Sequence, residues 1–132
     1  MIMNKTKKIF LILCITIMIF SCHKNKNTDG PIIDADKIEY DYGTIKQYSE
    51  GVCTFTIINK GKKTLVINEV KSSCGCTIPT ISNNLVKSNN KIIMNIKYNT
   101  DAIGEFHKTI VIRSNAVNAS DFILKIKGKV IN

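Results

Sequence analysis

The sequence has no tryptophan, one arginine (Arg113), two prolines and two histidines. With a single guanidinium and no aromatic platform set among the cations, it lacks the equipment that grips a nucleic-acid backbone and its bases, and no nucleic-acid partner is expected. It has no Gly-rich phosphate loop, no Ser/His/Asp set around a nucleophile elbow and no paired acids in an expected cleft. Asp34, Asp36, Asp101 and Glu105 fall in turns or in a polar tether, where solvated charge is the default, and His23 lies in that tether. No catalytic residue is assigned, and an enzyme is not expected. Past Asp36 there is no amphipathic helix. The apolar run Ile9 to Phe20 is twelve residues, against the ~20 that a spanning helix needs.

The N-terminal segment instead has the parts of an export signal. Lys5, Lys7 and Lys8, with no acid among them, precede the apolar run, which ends at Ser21-Cys22. A basic region, a short apolar region and a small residue at the cleavage point describe a secretory signal peptide over residues 1–21. Ile19-Phe20-Ser21-Cys22 resembles a bacterial lipobox, although Phe20 is bulkier than the usual occupant. The resemblance implies cleavage before Cys22 and acylation of Cys22, several chains together giving a stable membrane anchor. Removing 21 of the 132 residues takes three lysines and lowers the formal charge from +9 to +6. The 111 that remain suit one small domain. His23 to Pro31 is polar, non-aromatic and ends in Gly-Pro, so residues 22–35 are expected to be a flexible tether. Its basic rather than acidic character favours a periplasm-facing anchor in a bacterial cell envelope.

From residue 36 to 132 the recurring signal is a period of two bounded by turn residues. Ile38, Tyr40 and Tyr42 share one face, as do Cys53, Phe55 and Ile57; Ile92, Met94, Ile96 and Tyr98; Ile110 and Ile112; and Phe122, Leu124, Ile126 and Val130. Lys125, Lys127 and Lys129 stand opposite the last set, where cations would discourage edge-to-edge pairing. The runs either side of Asn59-Lys60-Gly61 read as a hairpin. Each strand has one apolar face to bury, so two sheets must pack together, and the expected fold is an immunoglobulin-like β-sandwich of about seven antiparallel strands.

"YDYGTI", "CTFTIINKGKKTLVINEVKSSCGCTIP", "GEFHKTIVIRSNA" and the closing "LKIKGKV" resemble the domain-of-unknown-function 1573 (DUF1573) family over about Asp36 to Val130. The resemblance implies an immunoglobulin-like sandwich of the kind seen in cilia- and centrosome-associated domains, often secreted or lipid-anchored, with no established reaction. The chain departs from the family pattern at Cys53, where His is usual two residues before the Phe, and at Lys87 to Asn90, where a Pro-Gly turn is common.

Five cysteines divide unevenly. Cys14 leaves with the signal peptide and Cys22 takes the lipid, so Cys53, Cys74 and Cys76 face an oxidising compartment, and an odd count leaves one free or paired between molecules. In an extended strand Cys74 and Cys76 would have Cα atoms ~6.6 Å apart, while a disulfide prefers ~5.5–6 Å. Gly75 supplies the bend that closes the difference. Such a small loop restricts the unfolded chain little, so the bridge would be a weak staple. Four readings stay open. In the first the pair stiffens a tight turn as a disulfide; in the second Cys53 pairs with Cys74 or Cys76 across the sandwich; in the third the pair works in thiol redox chemistry, with Lys71 the nearest cation in sequence; in the fourth the two sulfurs hold a soft ion such as copper(I), helped by His107, Met94 or Cys53. No cofactor is expected in the first two. The function expected is a non-catalytic binding or scaffolding module with a protein partner and a membrane anchor. Its binding loop is expected at "SSCGCTIP", through Ser73, Gly75, Thr77 and Pro79 beside the two cysteines.

Overall fold

The computed structural model describes residues 29–132; the expected signal peptide, Cys14, Cys22 and the expected tether up to residue 28 lie outside them. Nine strands form two sheets, β1 (Ile33–Ala35), β2 (Glu39–Lys46), β3 (Gly51–Asn59), β4 (Leu65–Ser72), β5 (Thr77–Ile81), β6 (Leu85–Val86), β7 (Lys91–Tyr98), β8 (Gly104–Ser114) and β9 (Asp121–Ile131). One sheet has the order β1-β3-β7-β5 and the other β2-β9-β8-β4-β6. The fold is an immunoglobulin-like β-sandwich.

The core is the set of inward positions that the period of two marks. Phe55, Ile57, Met94 and Ile96 come from the first sheet and Leu65, Ile110, Ile112, Leu124, Ile126 and Val130 from the second, all fully or almost fully buried. Burying such a side chain contributes roughly 1.5–3 kcal/mol each. An aromatic ladder closes one end. Tyr98 stacks on Phe106 with ring centroids 3.8 Å apart, and Phe106 leads on to Tyr42 and Tyr40 at 5.7 Å and 4.9 Å. Gly128 interrupts the apolar period of β9 because a Cβ there would lie 2.8 Å from the Phe106 ring and 2.9 Å from the Tyr42 Cβ.

Several expectations change. Ile33 is buried and β1 pairs with β3, so the sandwich begins within the expected tether. Among the described residues the strands number nine rather than about seven, because β1, β5 and β6 are too short to show a period. One pair is parallel: β2 runs alongside β9, with a bulge between Asp41 and Thr44 where Gly43 takes φ +60°. Ile38 precedes β2 and is 65% exposed, off the inward face. β3 and β4 form no hairpin, since β3 pairs with β1 and β7 while β4 pairs with β8 and β6. The chain crosses between sheets there because both runs carry an apolar face that the opposite sheet covers. Nor is β9 an edge; it lies between β2 and β8, and its lysines face solvent from within the sheet.

The two edges of the first sheet are closed by side chains. Asp36 N–H donates to Thr56 O and Lys60 N–H to Ile32 O, so Ile33 and Ala35 turn their backbones outward. Asn118 accepts the Ile33 N–H at 3.0 Å and donates to the Ile33 carbonyl at 2.9 Å, while Asp34 accepts the Ala35 N–H. On β5, Asn99 N–H donates to Cys76 O and Ser82 N–H to Ile93 O, which leaves Thr77, Pro79 and Ile81 facing out. Thr77 N–H is taken by Cys74 O, the Ser72 hydroxyl donates to Thr77 O, and Pro79 has no N–H to offer. Edges blunted in this way resist addition of another strand.

Candidate functional site

"SSCGCT" is the crossover from β4 in the five-stranded sheet to β5 at the edge of the four-stranded one. Cys74 and Cys76 are joined by a disulfide with Cα atoms 5.3 Å apart, shorter than the extended spacing because the chain bends at Gly75. The Ser72 hydroxyl lies 2.7 Å from the Cys74 carbonyl and 2.6 Å from the Thr77 carbonyl, so its proton serves both. Ser73 anchors the other side, donating its N–H to Thr109 O at 2.8 Å and accepting the Thr109 N–H on its hydroxyl at 3.1 Å. Ser73 and Gly75 are exposed loop residues, and nothing lies within 4 Å of where a Gly75 Cβ would stand. Thr77 and Pro79 belong to β5 rather than to a loop, with Thr77 only 2% exposed. The Thr77 hydroxyl sits 3.6 Å from Cys74 Sγ and 3.8 Å from Cys76 Sγ. The bonded sulfurs carry no proton, so Thr77 is the donor.

The residues named as helpers for a metal are elsewhere. Met94 is buried in the core, and Cys53 is a free thiol buried on β3 opposite Ile96. The structure therefore does not pair Cys53 with Cys74 or Cys76. Burial pushes the Cys53 thiol up from its ordinary range, against the opposing pull of the Tyr42 hydroxyl. Burial also pushes the Tyr42 phenol up, with Cys53 adding to it, and that phenol donates to Gly51 O at 3.0 Å. Strand alternation turns His107 to the outer face of β8, where it lines a shallow depression with Asp41, Glu105 and Lys127. Among the described residues no group of three or more His, Cys, Asp and Glu converges. Lys71 is engaged with Glu69 at 2.7 Å.

The disulfide loop is one wall of a cleft of about 430 Å³ at this end of the sandwich. The β2–β3 turn supplies Tyr48, Ser49 and Glu50, the end of β7 and the loop after it supply Lys97 to Asp101, and Gly75, Cys76 and Ile78 close the third side. Tyr98, at the floor, rests on Phe106. Thr100, itself buried, donates to Ser49 O at 2.7 Å, and Gln47 donates to Asp101 O at 2.7 Å, so two of the loops are tied together. Tyr48 is 77% exposed and Ile78 60% exposed. Tyr48 also has φ +60°, a conformation that costs a non-glycine residue roughly 1–2 kcal/mol. An exposed aromatic side chain on a strained backbone beside a cleft makes Tyr48 a candidate contact residue. Sequence reasoning missed Tyr48 because its signal, an aromatic in the polar turn "KQYSEG", has no periodic partner.

Residues 33–130 match the family described as "Protein of unknown function (DUF1573)". No curated protein matches the chain. Among solved structures, a protein of unknown function from Porphyromonas gingivalis W83 superposes with a TM-score of 0.70 at 13% identity, over 81% of this chain and 50% of that one. The chain thus spans half the length of that relative. The ASH / PapD-like domain 7 of human CEP192 superposes with a TM-score of 0.66 at 9% identity, over 85% of this chain and 93% of that one. WR4, an MSP family member of C. elegans, gives 0.51 at 15% identity, over 76% and 98%. At these identities the likeness is one of fold.

Proposed function

The chain belongs to the DUF1573 family, and from that premise we propose that it is a non-catalytic binding module that takes a protein partner in the cleft beside the disulfide loop. It is held at a bacterial cell-envelope membrane by lipid on Cys22 and faces the periplasm. The observation that carries the binding role is the cleft itself, three segments meeting at one end of the sandwich, two of them tied by hydrogen bonds, with Tyr48 and Ile78 exposed at its rim. Aromatic and aliphatic side chains presented at the rim of a cleft are suited to anchor a partner, because each buries a large apolar area on contact. Loops at the end of a sandwich are the usual place for such a surface. The anchoring role is supported by the basic and apolar N-terminal segment and by Ser21-Cys22.

Three tests address the reading. A photo-crosslinking residue placed at Tyr48 in the full chain is expected to give a discrete adduct in cells, and the same residue at Val117, exposed at the far end, is not. Tyr48→Gly and Ile78→Asp should each abolish the Tyr48-side association by at least tenfold, and Tyr48→Gly should stabilise the fold by up to about 1 kcal/mol because glycine accepts the positive φ. Equal adducts at both positions, or none at Tyr48, would refute the cleft as the binding surface. Cys22→Ala is expected to move the protein from the membrane to the soluble fraction; retention in the membrane would refute lipid anchoring.

A further inference from the structure

We propose that Cys74–Cys76 is an exchangeable disulfide that reacts stoichiometrically with an external dithiol, with Thr77 as the residue that positions and stabilises the departing sulfur. Three observations converge. The Thr77 hydroxyl is buried, and among the described residues its hydrogen-bond partners are the two sulfurs alone. A disulfide sulfur is a weak acceptor, so burying a hydroxyl against it contributes little in the oxidised state. A thiolate at the same place accepts a charge-assisted bond about twice as strong, so the arrangement favours the state in which the S–S bond has opened. The second observation is access. Cys76 and Gly75 line the cleft while Cys74 does not, and the space over Gly75 is open. The third is the size of the closed loop, two residues of separation, which gives the oxidised form little chain-entropy advantage.

The step follows from this placement. A thiolate of a dithiol partner enters from the cleft and attacks Cys76 Sγ; the Sγ–Sγ bond breaks, and Cys74 leaves as a thiolate beside the Thr77 hydroxyl, which stands 3.6 Å from that sulfur in the oxidised form. The partner's second thiol then attacks the mixed disulfide, releasing Cys76 and closing the partner's own disulfide. Two electrons and two protons pass from the partner to Cys74 and Cys76, so the partner is oxidised and the loop reduced. Both steps need the cleft open at Cys76, and neither depends on the lipid anchor.

The test uses the full chain purified in detergent, with dithiothreitol as the dithiol and mass spectrometry of the peptide that contains both cysteines after acid quench and alkylation. Reduction is expected under native conditions, faster than global unfolding permits. Thr77→Val should slow it about tenfold, the loss of one hydrogen bond to a charged group, with the thermal midpoint of the oxidised protein unchanged, and Thr77→Ser should restore the rate. Cys74→Ser should capture oxidised glutathione as a mixed disulfide on Cys76. The proposal is overturned if the wild-type pair reduces only as the protein unfolds, if Thr77→Val reduces at the wild-type rate, or if Cys76 captures nothing. The wild-type and Cys74→Ser arms decide the matter even where Thr77→Val fails to fold.

Discussion

Asn59 ends β3 with its side chain completely buried, which an amide tolerates only when its hydrogen bonds are made. Its carbonyl oxygen accepts the N–H of Ile32 at 3.2 Å and of Gly61 at 2.9 Å, and its amide donates to Lys63 O at 2.8 Å and Val86 O at 2.9 Å. One residue thus ties the segment before β1, the β3–β4 crossover and β6 together. Gly61 completes the knot, since a Cβ there would stand 2.2 Å from Gly30 O. Asn59→Ala leaves these backbone groups unpaired in the interior and is expected to cost ~2–4 kcal/mol, read as a lower urea midpoint at unchanged slope. A loss under 1 kcal/mol would mean that the crossover holds itself. Arg113, the lone guanidinium, is likewise structural, bonding Glu69 and Asp121 at 3.1 Å each across β4, β8 and β9.

The elements divide by how much of their structure is local. β7 is long and alternates cleanly, and β9 does so except at Gly128, so their faces follow from residue order alone. β1 and β6 are two or three residues long and exist because something else holds them, Asn118 in the first case and Asn59 in the second. Asn118→Ala removes both bonds to Ile33 and opens the β1 edge. It should destabilise by ~1–2 kcal/mol and raise the self-association of the protein in light scattering. Loss of stability without association would show that β1 is protected by other means.

For the whole molecule, surface ion pairs make the stability depend on pH at both ends of the range, each pair by a small amount. The Lys60 ammonium, with help from the Ala35 N–H, holds Asp34 below its ordinary 3.8, and Lys71 above all, then Arg113, holds Glu69 below 4.5. Lowered carboxylates contribute stability that is present above these unfolded values and lost as pH falls through the folded ones. Glu39 first, then Asp41, raises Lys127 above 10.5, so its contribution is present below that value and lost as pH rises through the folded one. Urea midpoints should therefore be flat between these limits and fall on both sides. Asp34→Asn should flatten part of the acid decline and leave the alkaline one untouched; an unchanged acid decline would assign that pair no weight.

The sandwich was legible in the sequence because alternation is a local property: a residue two places along returns to the same face whatever its partner strand. The core at Phe55, Ile57, Met94, Ile96, Leu124 and Ile126 follows from that alone, as does the prominence of Cys74-Gly75-Cys76. Strand order was not legible. Whether β3 turns back on β4 or crosses to the other sheet, whether β2 pairs parallel to β9, and where β5 ends depend on contacts between residues far apart in the chain, such as Asn59 with Val86 and Asn118 with Ile33. The cleft is of the same kind. Tyr48, Cys76 and Tyr98 are distant in sequence, and only the packing of two sheets brings their loops to one end.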